Sequence, residues 1–303
     1  MRNPEKVLNS LTKHSNQTDY KFERLYRVLF NEKMYYRAYQ KLSKKQGNNT
    51  NGSDGKNIDG MNIVEIKQLI QKLRDESYQP APARRTYIPK KNGKMRPLGI
   101  PAFKDKLVQE VMRMVLEAVY EDSFSYMSHG FRPAKSCHTA LKYLQDNFIG
   151  AKWFIEGDIK GFFDNINHDV LIEILRERIK DERFIRLVRK FLNAGYIENW
   201  VFHRNYSGTP QGGIISPLLA NIYLDKLDKY MMEYIGKFDK GKKRRRNPEH
   251  RKLEGRKRTV IKKLARETDM GNILMLQKEI KEIEKKRVLI PAADGMDSNY
   301  KRL

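Results

Sequence analysis

The stretch WFIEGDIKGFFDNI, residues 153–166, ends an apolar run on an acid, Asp158, and follows it with Gly161, Phe162 and Phe163. Alternation predicts a strand through the 150s, with Phe154, Glu156 and Asp158 on one face and Trp153, Ile155 and Ile159 on the other. An acid at a strand end, beside the backbone carbonyl of Ile159, offers the hard oxygens that Mg²⁺ prefers. Taken alone, Asp158 reads better as a solvated strand-end aspartate, so its neighbours along the chain must decide.

Two other stretches bear on it. GTPQGGIISPLLANIYL, residues 208–224, places Gly208, Gly212, Gly213 and the amide of Gln211 before a helix with Pro217 near its first turn. Such a loop lets backbone approach a ligand closely, and a helix start favours phosphate. IPKKNGKMRPLGIP, residues 88–101, has a tight-turn signal at Asn92-Gly93, and Thr86, Tyr87 and Ile88 suit a strand. A hairpin is expected there, with Lys90 and Arg96 as candidate phosphate clamps across its turn.

Elsewhere the pattern is mainly helical. Phe22, Leu25, Tyr26, Leu29 and Phe30 form one apolar stripe, which predicts a helix over 19–42. A polar Gly/Asn/Ser loop, expected to be mobile, separates it from a helix over 63–73 that ends before the prolines of YQPAPAR. Further helices are predicted over 105–120 and from Asn167 or Asp169 to about Lys180. Helices and strands do not alternate regularly, so the fold class is α+β and not a doubly wound parallel sheet.

Charge narrows the function. Lys plus Arg number 61 against 37 Asp plus Glu, a formal +24 with a pI near 9.9. Nucleic acid is the partner that most often neutralises such an excess. Between Gly241 and Arg266 the chain holds 13 Lys/Arg and 2 Glu, after which Ile273, Leu276, Ile280 and Ile283 mark an amphipathic helix ended by Pro291. No apolar run approaches the roughly 18 residues of a membrane span, and the start has no apolar signal core, so a cytoplasmic protein is expected. Cys137, the single cysteine, excludes an internal disulfide. It is expected to be a buried small apolar residue, and His138 beside it completes no metal site.

Taken in order, the basic hairpin, GDIKGFFDNI and GTPQGGIISPLLANIYL, with RPLGIP, HGFRP (129–133) and the ending SNYKRL, resemble the reverse transcriptase/maturase encoded by bacterial group II introns. The resemblance runs from about residue 19 to 303. It implies right-hand polymerase fingers and palm, with an antiparallel palm sheet packed on helices, a helical N-terminal extension and a basic helical insertion. Residues 1–80 would hold the extension and the start of the fingers, 81–140 the fingers hairpin and helices, and 141–303 an incomplete palm with the insertion at about 236–292. The implied activity is RNA-directed DNA polymerisation, together with intron RNA binding that assists splicing. Asp158 would be the first metal-binding carboxylate, with Ile159 lending its carbonyl to Mg²⁺. Phe163 would be the gate that clashes with a ribose 2′-hydroxyl, with Phe162 in the core. Lys90 and Arg96 would hold the incoming triphosphate, and Gln211 would sit by the nucleotide being paired. Lys242, Lys243, Arg244, Arg245, Arg246, Arg256, Lys257 and Arg258 would bind RNA. The implied partners are intron RNA, an RNA template with a DNA primer, and dNTPs, with no membrane.

Nucleotidyl transfer is held between two metal ions, which one carboxylate cannot bind. The family supplies the others from a Tyr-any-Asp-Asp hairpin after the basic insertion, and this sequence has no Asp-Asp pair. Asp294 and Asp297, with Gly295 between them, look like a turn and not a substitute. The expectation is a chain truncated before that hairpin, inactive alone and binding Mg²⁺ weakly. Two alternatives stay open: an RNA-binding splicing factor with a decayed polymerase centre, and an RNA-dependent RNA polymerase, against which Phe163 speaks. A homodimer is compatible with the sequence and not required by it.

Overall fold

A computed structural model describes residues 2–17, 19–89, 93–148, 153–209, 212–297 and 299–301. The chain divides into two units, Met1–Lys229 and Tyr230–Leu303. The first begins with a helix that the sequence pattern did not announce, α1 (Pro4–Ser15). Asn3 caps it by accepting from the Glu5 N–H at 2.8 Å, and Pro4 takes the first position, where its missing N–H costs nothing.

The single helix expected over 19–42 is two elements. A 3-10 turn at Tyr26–Phe30 stops at Asn31, and α2 (Glu32–Ser43) starts after it. Asn31 is extended, and its side chain accepts from the Lys33 N–H at 3.2 Å, which suits a cap better than a helix interior. The apolar stripe survives the break, since Leu25, Leu29, Met34 and Tyr35 are all buried in one core. The polar loop that follows is tied down and not loose. Asn48 is buried, donates to the Leu42 carbonyl at 2.7 Å, and accepts from the buried Lys106 ammonium at 3.1 Å.

After α3 (Ile63–Arg74), β1 (Ala83–Pro89) and β2 (Met95–Ile100) form the expected hairpin, with Ile88 opposite Arg96. Next, α4 (Phe103–Tyr120) is buried nearly all round and carries Leu107, Val111, Met112, Val115 and Val119 into the core. At its start the carboxylate of Asp105 accepts from the Tyr78 hydroxyl at 2.5 Å and the Ala81 N–H at 2.8 Å. Burial outweighs these bonds and pushes its pKa up to about 6. Then α5 (Cys137–Asn147) opens with a Ser136/Thr139 capping box. Cys137 is exposed there, contrary to expectation, because the helix start lies outside any packed face.

The strand expected in the 150s is not formed: residues 153–159 have no regular structure, and Trp153, Phe154 and Ile155 are exposed, at 88%, 70% and 90%. A strand exists only where a neighbour takes up its N–H and C=O groups, and none of the described residues pairs with these. The chain resumes order at a one-turn helix, α6 (Phe162–Asn165). Asn167 then caps α7 (His168–Arg176), which is shorter than expected, and Asp181 caps α8 (Glu182–Leu192).

Two short strands follow, β3 (Tyr196–Glu198) and β4 (Val201–His203). The sheet order is β2-β1-β3-β4, with β1 and β3 parallel and both outer pairs antiparallel. The α+β class holds, but the sheet joins the basic hairpin to 196–203 and does not include the 150s. The long helix α9 (Ser216–Phe238) has Pro217 in its first turn, as expected. The second unit is built on α10 (Pro248–Leu264) and α11 (Met270–Val288), which bury Val260 and Ile283 and are linked by the ion pairs Arg256–Glu279 (2.7 Å) and Lys257–Glu284 (2.6 Å). Among the described residues no helix is long and apolar enough to cross a membrane.

Candidate nucleotide and nucleic-acid site

The described residues 207–209 and 212–215 make close contacts with several elements of the first unit. The entry of this loop is sewn to α6 by backbone: Gly208 N–H donates to the Ile166 carbonyl at 2.8 Å, and Thr209 N–H to the Phe163 carbonyl at 2.7 Å. The Ser207 hydroxyl adds a 3.0 Å bond to the Asp164 carbonyl. Gly208 has φ +81, and a Cβ there would lie 2.6 Å from the Phe163 oxygen, so both its conformation and its space require glycine. At the far end Gly212 has φ +109, and a Cβ would lie 2.1 Å from the carbonyl of Gly99 in β2. The two described flanks of the loop therefore meet different elements: Gly208 and Thr209 the one that carries Phe163, Gly212 the basic hairpin.

Two buried side chains fix this loop, and no sequence motif singled out either. His168 donates through Nε2 to the Gly208 carbonyl at 2.7 Å, with its Nδ1 3.2 Å from the Asn193 amide oxygen. Gln109, on the buried α4, accepts from the Ile214 N–H at 2.8 Å. The available signal was a polar amide inside an otherwise apolar helical face, which requires a partner.

The expected site residues fall as follows. Asp158 is exposed and makes no ion pair or hydrogen bond among the described residues, so its carboxylate is neither sealed in the core nor tied to an arginine. Ile159 is half-exposed beside it. Phe163 is half-buried, packed edge-on to Phe162 (5.8 Å between ring centres), and Phe162 in turn meets Tyr223 of α9. Arg96 is exposed on β2. Lys90 and Gln211 lie outside the described residues. In the HGFRP stretch, Arg132 builds the loop itself, binding Glu121 at 2.9 Å and the carbonyls of Ser125 and Ser128.

Among the described residues no three His, Cys, Asp or Glu side chains converge as a cation site. Asp158 and the Ile159 carbonyl bring one carboxylate and one neutral oxygen. A divalent ion takes about six ligands, so these two fit as part of a donor set and not as the whole of one.

In the second unit the basic residues divide. Arg245 is committed to the fold: its Nε reaches Asp294 at 2.6 Å and its N–H donates to Asp297 at 2.8 Å. Those two acids thus serve a turn. Arg246 and Arg258 pair with Glu254, at 3.3 and 2.8 Å, on an exposed surface where such pairs hold weakly. Arg244 lies over the Tyr300 ring at 5.1 Å. An open groove of about 860 Å³ is lined by Arg245, Arg246, Arg251 and Lys252 with Pro248.

Residues 88–243 match the family model described as Reverse transcriptase (RNA-dependent DNA polymerase). The chain is 49% identical over 282 residues to the group II intron-encoded protein LtrA of Lactococcus lactis subsp. cremoris, covering 91% of this chain and 47% of that protein. It is 49% identical over 211 residues to the uncharacterized 91 kDa protein in the cob intron of Schizosaccharomyces pombe, covering 70% of this chain and 26% of that one. It is 40% identical over 221 residues to protein YkfC of Escherichia coli K12, covering 70% and 58%. The chain spans between about a quarter and three fifths of the length of these relatives. The group II intron resemblance read from GDIKGFFDNI and GTPQGGIISP is borne out by the first of these relatives. With a family model matched across half its length, and with the motifs of that family drawn together around the 207–215 loop, the chain belongs to the reverse transcriptase family.

Proposed function

We propose that the protein containing this chain is an RNA-directed DNA polymerase of a mobile group II intron, which also binds intron RNA and assists its splicing. The observation that carries this reading is the contact of Thr209 with the Phe163 carbonyl and of Gly212 with Gly99 of the hairpin, which links three motifs far apart in sequence. In this reading residues 81–140 form the fingers and 141–303 the palm, with the basic insertion at about 236–292 and the extension in 1–80.

Lys90 and Arg96 hold the triphosphate, Gln211 sits by the pairing nucleotide, and the Phe163 ring fills the volume a ribose 2′-oxygen would need. Asp158 and the Ile159 carbonyl would hold Mg²⁺ together with further carboxylates, and the ion would supply neutralisation of phosphate charge. The substrates are dNTPs and an RNA template with a DNA primer, and the setting is the bacterial cytoplasm. Lys242, Lys243 and Arg244, with the exposed Arg246 and Arg258 and the helix-linking Arg256 and Lys257 beside them, meet phosphates of intron RNA.

The test is primer extension by the full-length protein. Asp158→Asn is expected to abolish extension and to leave RNA binding intact. Extension at the wild-type rate by that variant removes Asp158 from the centre.

A further inference from the structure

The β3–β4 hairpin turns on Asn199 and Trp200, whose φ angles are +49 and +66. A two-residue turn of this left-handed type favours glycine at its second position, and a bulky residue there is strained. Trp200 occupies it and is 98% exposed. Among the described residues the fold gains nothing from an indole at this point: it is almost wholly exposed and strains the turn. Such an outlier points to a contact made outside the fold.

The segment after it keeps the same character. Phe202 is half-exposed on the edge strand β4, Arg204 is exposed, and Tyr206 is 83% exposed. Behind them Arg85 lies 3.6 Å over the Tyr196 ring, and that ring stacks on His203 at 4.9 Å and 13°. Flat rings interleaved with cations, on a chain of net charge +24, suit an unpaired nucleic-acid strand, whose bases stack and whose phosphates need positive charge. The segment runs straight into Gly208, the entry of the loop described above.

We propose that Trp200, Phe202, Arg204 and Tyr206 form a stacking site for a single-stranded nucleic acid, separate from the residues assigned to metal and nucleotide. The experiment uses the full-length protein and an unstructured 12-nucleotide RNA with one 2-aminopurine, without dNTPs or Mg²⁺. An aromatic ring stacked on the probe quenches it. Trp200→Ala and Trp200→Gly are expected to remove most of the quenching and to weaken binding roughly 10-fold, while Trp200→Phe retains both. Trp200→Gly relaxes the turn, so its melting temperature should not fall, which separates a stacking defect from a folding defect.

An abasic 12-mer of equal charge should abolish the Trp200 dependence. Quenching unchanged in Trp200→Gly overturns the proposal and assigns the indole to a protein contact instead. Asp158→Asn should quench as the wild type does, so this inference and the polymerase reading fail separately.

Discussion

The carbonyl oxygen of Phe163 accepts a 2.7 Å hydrogen bond from the backbone N–H of Thr209. Because backbone makes this bond, the side chain of Phe163 can change without releasing the loop. Phe163→Val should therefore change the ring's volume and little else in the site, which tests the gate role proposed for it. If the full-length protein polymerises as proposed, the change is expected to raise rNTP use relative to dNTP use by about 10- to 100-fold, the range for one apolar group's worth of steric discrimination. The measurement is the ratio of kcat/KM for the two nucleotides; an unchanged ratio removes Phe163 from the gate.

Gln109 controls the other end of the loop through the Ile214 N–H. Gln109→Met keeps the volume and removes the acceptor, leaving a buried donor unsatisfied at a cost of about 1–3 kcal/mol. Denaturant unfolding should show that loss. A positioning role adds a second signature, a higher KM for dNTP with kcat at saturation largely retained. A fall in kcat alone would contradict it.

Asp105 gives a pH dependence whose sign is fixed by its burial. Its pKa rises from an ordinary 3.8 to about 6, against the pull of the Tyr78 and Ala81 donors and Lys104, and with the repulsion of Asp54. Below about 3.8 the folded and unfolded chains both hold the proton, and its contribution to stability is fully present. As pH rises through about 6 the folded state must ionise a buried group and the contribution is lost, at most about 3 kcal/mol. Asp105→Asn cannot ionise. Across pH 4 to 6 it should gain stability relative to the wild type, read from melting temperatures of the pair, and a constant difference would refute the shift.

The second unit makes a prediction about salt. Lys242, Lys243 and Arg244 precede Arg245, which Asp294 and Asp297 hold in place. Replacing the first three by Gln should flatten the log-log salt dependence of RNA binding by roughly 0.7–0.9 for each phosphate no longer neutralised. Arg245→Gln should instead lower the melting temperature. A salt slope indifferent to the triple change excludes these side chains from the RNA surface.

Local order was the legible part of this chain. The buried stripe of α4, the strand signal at Thr86–Ile88 and the prolines after Arg74 act within a few residues, and the fold follows them. Asn31 was missed because an apolar stripe continues across a cap without a gap in its period. β3 and β4 have three residues each, too few for alternation to register, and their turn lacks glycine. The 150s failed for a different reason: a strand depends on a distant neighbour, which no local pattern encodes. At the site, glycines and aromatics announced the 207–215 loop, whereas His168 and Gln109 gave no motif. Each acts through one backbone atom that only the tertiary structure identifies.

The bare run from Trp153 to Ile155 carries a practical consequence. Exposed aromatic and β-branched residues that pair with no strand among the described residues are a template on which an identical segment can lie. Copies of these residues prepared by themselves would find in one another the neighbour each lacks. Their colloidal behaviour in the tube would then report on this exposed ribbon and not on the folded chain.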